Sequence, residues 1–103
     1  MKKDIFINAI HNCELVRLTF LESSNNVKVR TCVPFDYGPS RHAKNKADRY
    51  HFWDIDSPNI SHTLSLLPES VINIEPVTER FVPADYVKWT PSWYVSRDWG
   101  KYS

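Results

Sequence analysis

The sequence predicts a mainly β fold of the α+β type: a small five-stranded antiparallel barrel with a short N-terminal helix and an aromatic C-terminal tail. Three observations predict it. The chain has 103 residues, the usual size of one domain. Five short segments alternate apolar and polar residues, as strands with one buried face do. Turn-forming residues separate most of them, and a closed or half-closed barrel would hide the edges that an open sheet exposes.

The first predicted elements are a helix and a hairpin. Residues 2–11 predict the helix, because apolar residues four apart form a stripe, and we expect Asn12 to end it in the left-handed conformation. Leu15–Glu22 and Val27–Val33 predict two strands, joined by a turn from Ser23 to Asn26. We expect their core-facing side chains to be the alternating apolar ones, Val16, Leu18, Phe20, Val27, Val29 and Val33.

Three further strands complete the predicted sheet, at Arg49–Ile55, His62–Leu67 and Val71–Val77. Their expected inward residues include Leu64, Leu66, Ile72 and Ile74. A turn is predicted at Asp56–Ser61, and Pro83 suits the first turn of a short helix. We divide the chain into a barrel domain with its helix, residues 1–88, and an aromatic tail, residues 89–103, that packs on the barrel or on a partner.

Composition excludes several classes of protein. The net charge is +1, but residues 36–49 carry four positive and two negative charges, whereas residues 50–87 carry one positive and six negative. The chain is therefore not a bulk polyanion binder, although it can present a basic patch. No apolar run approaches the roughly 20 residues of a membrane span. Only two cysteines and no apolar signal segment indicate a cytoplasmic protein with reduced thiols.

Several short motifs occur in a distinctive order. Ala9-Ile10 precedes the first strand, Arg30 is followed closely by Pro34, and Tyr50-His51-Phe52 lies on the third strand. Leu64-Ser65-Leu66 and Glu79-Arg80-Phe81 follow. Over residues 5–81 this order resembles the WYL domain, an SH3-like or Sm-like barrel of bacterial regulators, including those of DNA-damage and phage-defence systems.

The resemblance implies a stand-alone regulatory or ligand-sensing barrel, without the N-terminal helix-turn-helix that family members usually carry. This chain departs from the family pattern in two places. Ser65 stands where the family has an arginine, and Leu67-Pro68-Glu69-Ser70 replaces an Asp-Arg step. Family arginines proposed to grip a negatively charged ligand are therefore partly absent.

Residues 34–48 predict a long exposed loop that is rich in cations, with aromatic residues nearby. Arginine binds phosphate at two points and aromatic rings stack on bases, so the loop predicts a site for a nucleotide or single-stranded nucleic acid. The candidate ligand-binding residues are Arg30, Tyr37, Arg41, His42, Lys44, Lys46, Arg49 and Tyr50. The alternative is that these charges only keep an exposed loop in solution.

The tryptophans of the tail predict a second binding surface, for a protein partner, because tryptophan is enriched at binding hot spots. Its candidate partner-binding residues are Trp89, Trp93 and Trp99, and a homodimer is one possible result. The alternative is that these rings pack over the end of the barrel as part of the core.

We expect no catalytic residue, metal or cofactor, and hence a non-enzymatic binding or regulatory module. Two glycines cannot build a phosphate-cradling loop, and no paired-cysteine motif occurs. His42, His51 and His62 lie on different predicted elements. Asp54 and Asp56 point the same way at a strand end, where they bind a cation or simply lead into a turn. A small hydrolase, the third hypothesis, would use Asp54, Asp56 and His51.

Overall fold

The computed structural model describes residues 2–22, 25–57 and 61–103. The helices are α1 (Lys2–Asn12) and α2 (Pro83–Tyr86), and single 3₁₀ turns occur at Pro68–Ser70 and Gly100–Tyr102. The strands are β1 (Glu14–Leu21), β2 (Val27–Pro39), β3 (Asp48–Asp54), β4 (His62–Leu66) and β5 (Val71–Arg80). Ser23 and Ser24 of the predicted hairpin turn, and Pro58 to Ile60 of the next predicted turn, lie outside the described residues.

The strands form one antiparallel sheet in the order β4-β3-β2-β1-β5. This confirms the mainly β prediction and its five antiparallel strands. In the described part of the chain β4 and β5 are the two edges and do not pair with each other, so the sheet is not closed into a barrel. The Lys2 ammonium donates to the carbonyl oxygens of Pro68 and Val71, at 3.5 and 2.6 Å, and so ties the start of α1 to the connection between β4 and β5.

Helix α1 covers one face of the sheet and builds the main core there. Its Phe6 ring meets the rings of Tyr50 and Phe52 edge-on, with centroids 5.0 and 5.1 Å apart. Beneath the helix lie buried side chains that the alternation predicts, together with two half-buried leucines of β4: Val16, Leu18, Phe20, Ile74, Leu64 and Leu66. We call this surface the helix-covered face.

The left-handed residue after α1 is Cys13, with a φ of 53°, and not Asn12 as predicted. The Cys13 carbonyl accepts a hydrogen bond from the Phe81 amide at 2.9 Å, at the end of β5. This contact helps to offset the roughly 1–2 kcal/mol that the conformation costs a residue other than glycine. A contact between distant parts of the chain therefore determines which residue takes the left-handed conformation, so the preferences of single residues do not identify it.

Strand β2 continues past its predicted end at Val33 as far as Pro39, so the predicted loop at residues 34–48 is wrong in its first part. Pro34 and residues 36–39 pair with β3, and the register shifts between Pro34 and Asp36, where Phe35 has no partner on β3. This bulge lets a central strand accommodate Pro34, which has no N–H to donate. The proline marks a bulge here and not the start of a loop.

The predicted orientation of two valines in β2 is also wrong. Directly paired residues of an antiparallel sheet share a face, and Phe20 pairs with Lys28. Val27 and Val29 therefore point to the opposite face, where they are 59% and 48% exposed. Val33 points to that same opposite face but is fully buried, because the C-terminal tail covers this part of the sheet.

A bulge in the pairing of β1 with β5 explains why Ile72 does not point inward as predicted. The register shifts between Thr19 and Phe20, where Thr19 pairs with Asn73 and Phe20 with Val71. Ile72 falls between these pairs and is 50% exposed, although the alternation predicts it to be inward.

The tail, residues 89–103, packs on the face of the sheet opposite α1, which we call the tail face. The Trp93 ring lies on the Phe35 ring of β2, with centroids 5.7 Å apart. The Trp99 ring packs against Trp93 and Phe81, at 5.5 and 5.4 Å, and its indole N–H donates to the Ile10 carbonyl at 2.9 Å. The tail is therefore joined to the core at several points.

Asp36, next to the bulge in β2, is the main anchor of the tail. Its buried carboxylate accepts hydrogen bonds from the backbone N–H groups of Tyr94 and Val95, at 2.9 and 3.0 Å. It also accepts one from the guanidinium of Arg97 at 3.2 Å. One side chain of the sheet thus fixes two backbone positions and one side chain of the tail.

The side chain of Arg97 is fully buried. Its Nε and Nη1 donate to the carbonyl oxygens of Val95 and Phe35. The guanidinium lies 4.1 and 4.5 Å from the ring centroids of Trp93 and Trp99, a cation–π arrangement on two sides. Burial lowers the pKa of Arg97 to about 10 and Asp36 limits the fall, so the guanidinium is charged at neutral pH.

We predict that Asp36→Asn lowers the free energy of unfolding by about 3–5 kcal/mol, because it leaves the buried Arg97 charge without a counterion. Urea unfolding measures the change. The control is Lys28→Ala, which breaks the exposed Lys28–Glu22 pair at 3.8 Å and should cost no more than about 1 kcal/mol. Equal losses in the two variants would contradict the anchoring role of Asp36.

Candidate ligand-binding pocket

An open pocket of 290 Å³ lies on the tail face, where the loop after β2 meets the tail. We call it the tail-face pocket. The basic loop contributes Arg41 and His42 to its lining, and the tail contributes Trp89 and Trp93. The two regions that the sequence marks separately, one for a ligand and one for a partner, therefore meet at a single site.

Aromatic rings form the floor of the pocket. The Phe35 ring lies 5.8 Å from Trp89 and 5.7 Å from Trp93, and the two indoles are 6.0 Å apart. Phe35 is buried and Trp93 half-buried, whereas Trp89 is 49% exposed. Trp89 is therefore the ring with the most surface available for stacking on a planar ligand.

Arg41 supplies a positive charge at the rim. Its guanidinium lies 4.7 Å from the Tyr94 ring centroid and donates to the Ser92 carbonyl at 2.7 Å, so the tail holds it in place. The Lys46 ammonium donates to the carbonyls of Ser40 and Arg41, each at 3.2 Å, and so organises the loop from inside. The rim cation thus belongs to an ordered loop and is still exposed to solvent.

A histidine and a serine form a polar wall. His51 of β3 and Ser65 of β4 are direct partners in the sheet, and both line the pocket. The His51 ring nitrogens lie 2.8 Å from the Ser65 hydroxyl (Nδ1) and 2.8 Å from the Gly38 carbonyl oxygen (Nε2). These bonds hold the imidazole in one orientation.

Only some of the predicted ligand-binding residues reach this pocket. Arg41 and His42 line it, and the exposed Lys44 lies in the same loop. Lys46 supports the loop instead of facing the pocket. Arg49 pairs with Gly38 but does not line the pocket, and its Nε is buried without a hydrogen-bond partner among the described residues.

Three other predicted residues lie on the helix-covered face. The Tyr37 and Tyr50 rings contact each other at 4.9 Å, and the Lys3 ammonium of α1 lies 4.7 Å from the Tyr37 ring centroid. Arg30 pairs with the buried Asp54, with its Nε 3.6 Å from the carboxylate. The structure therefore does not bring Arg30, Tyr37 and Tyr50 to the tail-face pocket, because alternation places them on the face opposite to Arg41.

The tail tryptophans have different environments. Trp99 is 5% exposed and belongs to the core, which is the alternative that the sequence left open for the tail. Trp93 is half-buried between Phe35 and Arg97, and its indole N–H donates to the Tyr102 carbonyl at 2.8 Å. Trp89 is the tail tryptophan that keeps a large exposed surface.

The residues suggested for a hydrolase do not converge. Asp54 is buried, and its carboxylate accepts from the Asp56 amide at 2.8 Å, while Asp56 accepts from the Thr31 amide at 3.2 Å. Both carboxylates therefore cap a strand end, the alternative that the sequence left open. His51, three positions before Asp54 on β3, faces the other side of the sheet.

The two cysteines are not arranged as reactive thiols. Cys13 and Cys32 are free thiols, and burial raises the pKa of each, so neither is an activated nucleophile. Residues 2–22, 25–57 and 61–103 contain no group of three or more His, Cys, Asp or Glu side chains suited to a metal ion. Over the same residues, no helix is long and apolar enough to cross a bilayer.

Sequence reasoning missed the role of Ser65, and it considered His51 for a metal site and a hydrolase but not for the wall of a binding pocket. Alternation along β3 and β4 does place both on one face. It does not reveal that the tail turns this face into the side of a pocket, because the anchor, Asp36, contacts residues 58 to 61 positions away in the chain.

No protein-family model, curated protein or solved structure matches this chain. The resemblance to the WYL domain therefore depends on its own residues alone.

We predict that Gly38→Ala disturbs the pocket. A Cβ at Gly38 would lie 2.5 Å from Cδ2 and 2.7 Å from Cγ of Tyr94. These atoms are near the backbone of the tail, so the tail itself must move, at a cost of about 1–3 kcal/mol in urea unfolding. Tyr94→Ala removes the clash, so the double variant should lose less stability than the two single losses added together. Additive losses would show that the two residues do not touch.

Proposed function

We propose that this chain is a regulatory ligand-binding module whose tail-face pocket accepts a nucleotide, either free or as one unit of a single strand. One observation carries the proposal: the rim cation Arg41 and the exposed ring of Trp89 lie in the same pocket. Nucleotides combine a planar base with a negatively charged phosphate. The Trp89 ring offers a stacking surface for the base, and the Arg41 guanidinium offers hydrogen-bond donors to the phosphate.

The charges around the pocket agree with an anionic ligand. Arg41 lies at the rim, and the exposed Lys44 follows it in the loop. Asp36 also lines the pocket, but Arg97 balances its charge and backbone N–H groups saturate its oxygens. Its carboxylate therefore opposes a phosphate much less than an unpaired one would.

The barrel and the resemblance to the WYL domain belong to the same proposal. We propose a half-open barrel of the SH3-like or Sm-like type, in which the sheet curls until its edges approach. A cavity of 480 Å³ supports this curvature, because it is lined by residues of both β1 and β4, which are separated in the sheet by β2 and β3. Phe20 and Leu21 come from β1, and Leu64 and Leu66 from β4.

A role as a protein-interaction subunit, with a homodimer through the tail, has less support. Trp93 and Trp99 pack within the chain, so Trp89 and Tyr94, 49% and 46% exposed, are the large tail aromatics that remain accessible. This exposed pair lines the same pocket as Arg41, which favours a ligand.

We predict salt-dependent binding of fluorescein-labelled single-stranded DNA, measured by fluorescence anisotropy. The logarithm of the affinity should fall linearly with the logarithm of the salt concentration, by about 0.7 per phosphate contact. Arg41→Gln should make this slope shallower by about 0.7, because it removes one contact. Trp89→Ala should instead weaken binding by about 1–3 kcal/mol and leave the slope unchanged, because stacking involves no counterion.

Lys28→Ala is the matched control, since Lys28 is a cation on the helix-covered face and should change neither quantity. If the affinity does not change with salt concentration, or if Arg41→Gln and Lys28→Ala change it equally, the tail-face pocket is ruled out as the binding site.

A further inference from the structure

The hydrogen-bond partners of His51 determine where its proton lies. Its Nε2 is 2.8 Å from the Gly38 carbonyl oxygen, and a carbonyl oxygen can only accept, so Nε2 carries the proton. In a neutral imidazole the other nitrogen is then an acceptor. Nδ1 lies 2.8 Å from the Ser65 hydroxyl, so that hydroxyl must donate to it.

This chain of bonds fixes what Ser65 can offer to a ligand. A serine hydroxyl has one proton and two acceptor lone pairs, and the proton is used by His51. Ser65 is half-buried and lines the tail-face pocket. Towards a bound molecule, the Ser65 oxygen therefore acts as a hydrogen-bond acceptor and not as a donor.

We propose that this fixed acceptor makes the pocket selective for nucleotides whose base carries an exocyclic amino group, adenine or cytosine. The inference deepens the proposed function and rests on it. An amino group donates to the Ser65 oxygen, whereas the carbonyl of hypoxanthine or uracil at the same position presents a second acceptor to it. Two acceptors that face each other without a proton lose their hydrogen bonds to water and gain none in return.

The surroundings of Ser65 suit a base in this orientation. The aromatic floor of the pocket provides a stacking surface through Trp89, and Arg41 at the rim offers N–H groups to a phosphate. The Gly38 carbonyl belongs to β2, inside the sheet, so the orientation of His51 is set by the backbone and does not depend on the ligand. The selectivity is thus built into the protein before binding.

Isothermal titration calorimetry with two matched pairs of mononucleotides tests the proposal. AMP is compared with IMP, and CMP with UMP, because each pair differs in the amino group and its carbonyl replacement. Titrations are run at about pH 8, where imidazole side chains are mostly neutral. AMP and CMP should bind about 10-fold more tightly than IMP and UMP, which corresponds to about 1.4 kcal/mol.

Ser65→Ala should abolish this preference, whereas Ser96→Ala, at an exposed serine of the tail outside the pocket lining, should keep it. Equal affinities within both pairs for the unaltered protein would overturn the selectivity and leave nucleotide binding intact. Binding of none of the four nucleotides would overturn the proposed function, and the selectivity with it. The four affinities measured with the unaltered protein test the selectivity even if Ser65→Ala folds poorly.

Discussion

The buried contact between Asp36 and Arg97 is the interaction on which the rest of the structure depends. Asp36 lies beside the bulge in β2 and faces away from α1, towards the tail. Its oxygens hold the backbone of Tyr94 and Val95 as well as the Arg97 guanidinium. With the tail held there, Trp89 and Tyr94 lie beside the loop that carries Arg41, and this face of the sheet becomes one side of a pocket.

A buried ion pair is not by itself a source of stability, because removing two charges from water costs about as much as their attraction returns. Here the desolvated groups have further partners. The Arg97 guanidinium donates to two carbonyl oxygens and lies between Trp93 and Trp99, and the Asp36 carboxylate accepts backbone N–H groups. This arrangement explains why the tail, which has little regular secondary structure, still has one defined path across the sheet.

Local patterns located the elements but not all of their ends, nor what covers their faces. Alternation located β1 to within one residue and placed Val16, Leu18 and Phe20 inward, because the covering helix lies close in sequence. The same pattern failed for Val27 and Val29, since the face they occupy is covered only where the tail reaches it. Pro34 was read as the start of a loop, because a bulge is visible only in the pairing of two strands.

For the candidate site too, the sequence indicated individual residues but not how they come together. The basic loop and the aromatic tail made Arg41 and Trp89 candidate binding residues, because side chains of these types are common at binding sites. These patterns did not bring them together, since the contact that does so joins Asp36 to Arg97, 61 residues away. Tyr37 and Tyr50 were included because they are near the loop in sequence, whereas the pleat of the strands places them on the other side of the sheet.

Amide hydrogen exchange at Tyr94 and Val95, measured residue by residue, tests the central role of Asp36 most directly. These N–H groups belong to no helix or strand, and their hydrogen bonds go to the Asp36 carboxylate. We expect both to be protected to the level of core amides in β1 such as that of Leu18, because they open only when the tail leaves the sheet. Exchange at the rate of an unfolded chain would mean that Asp36 does not hold the tail, and that the tail-face pocket is not a stable feature of this protein.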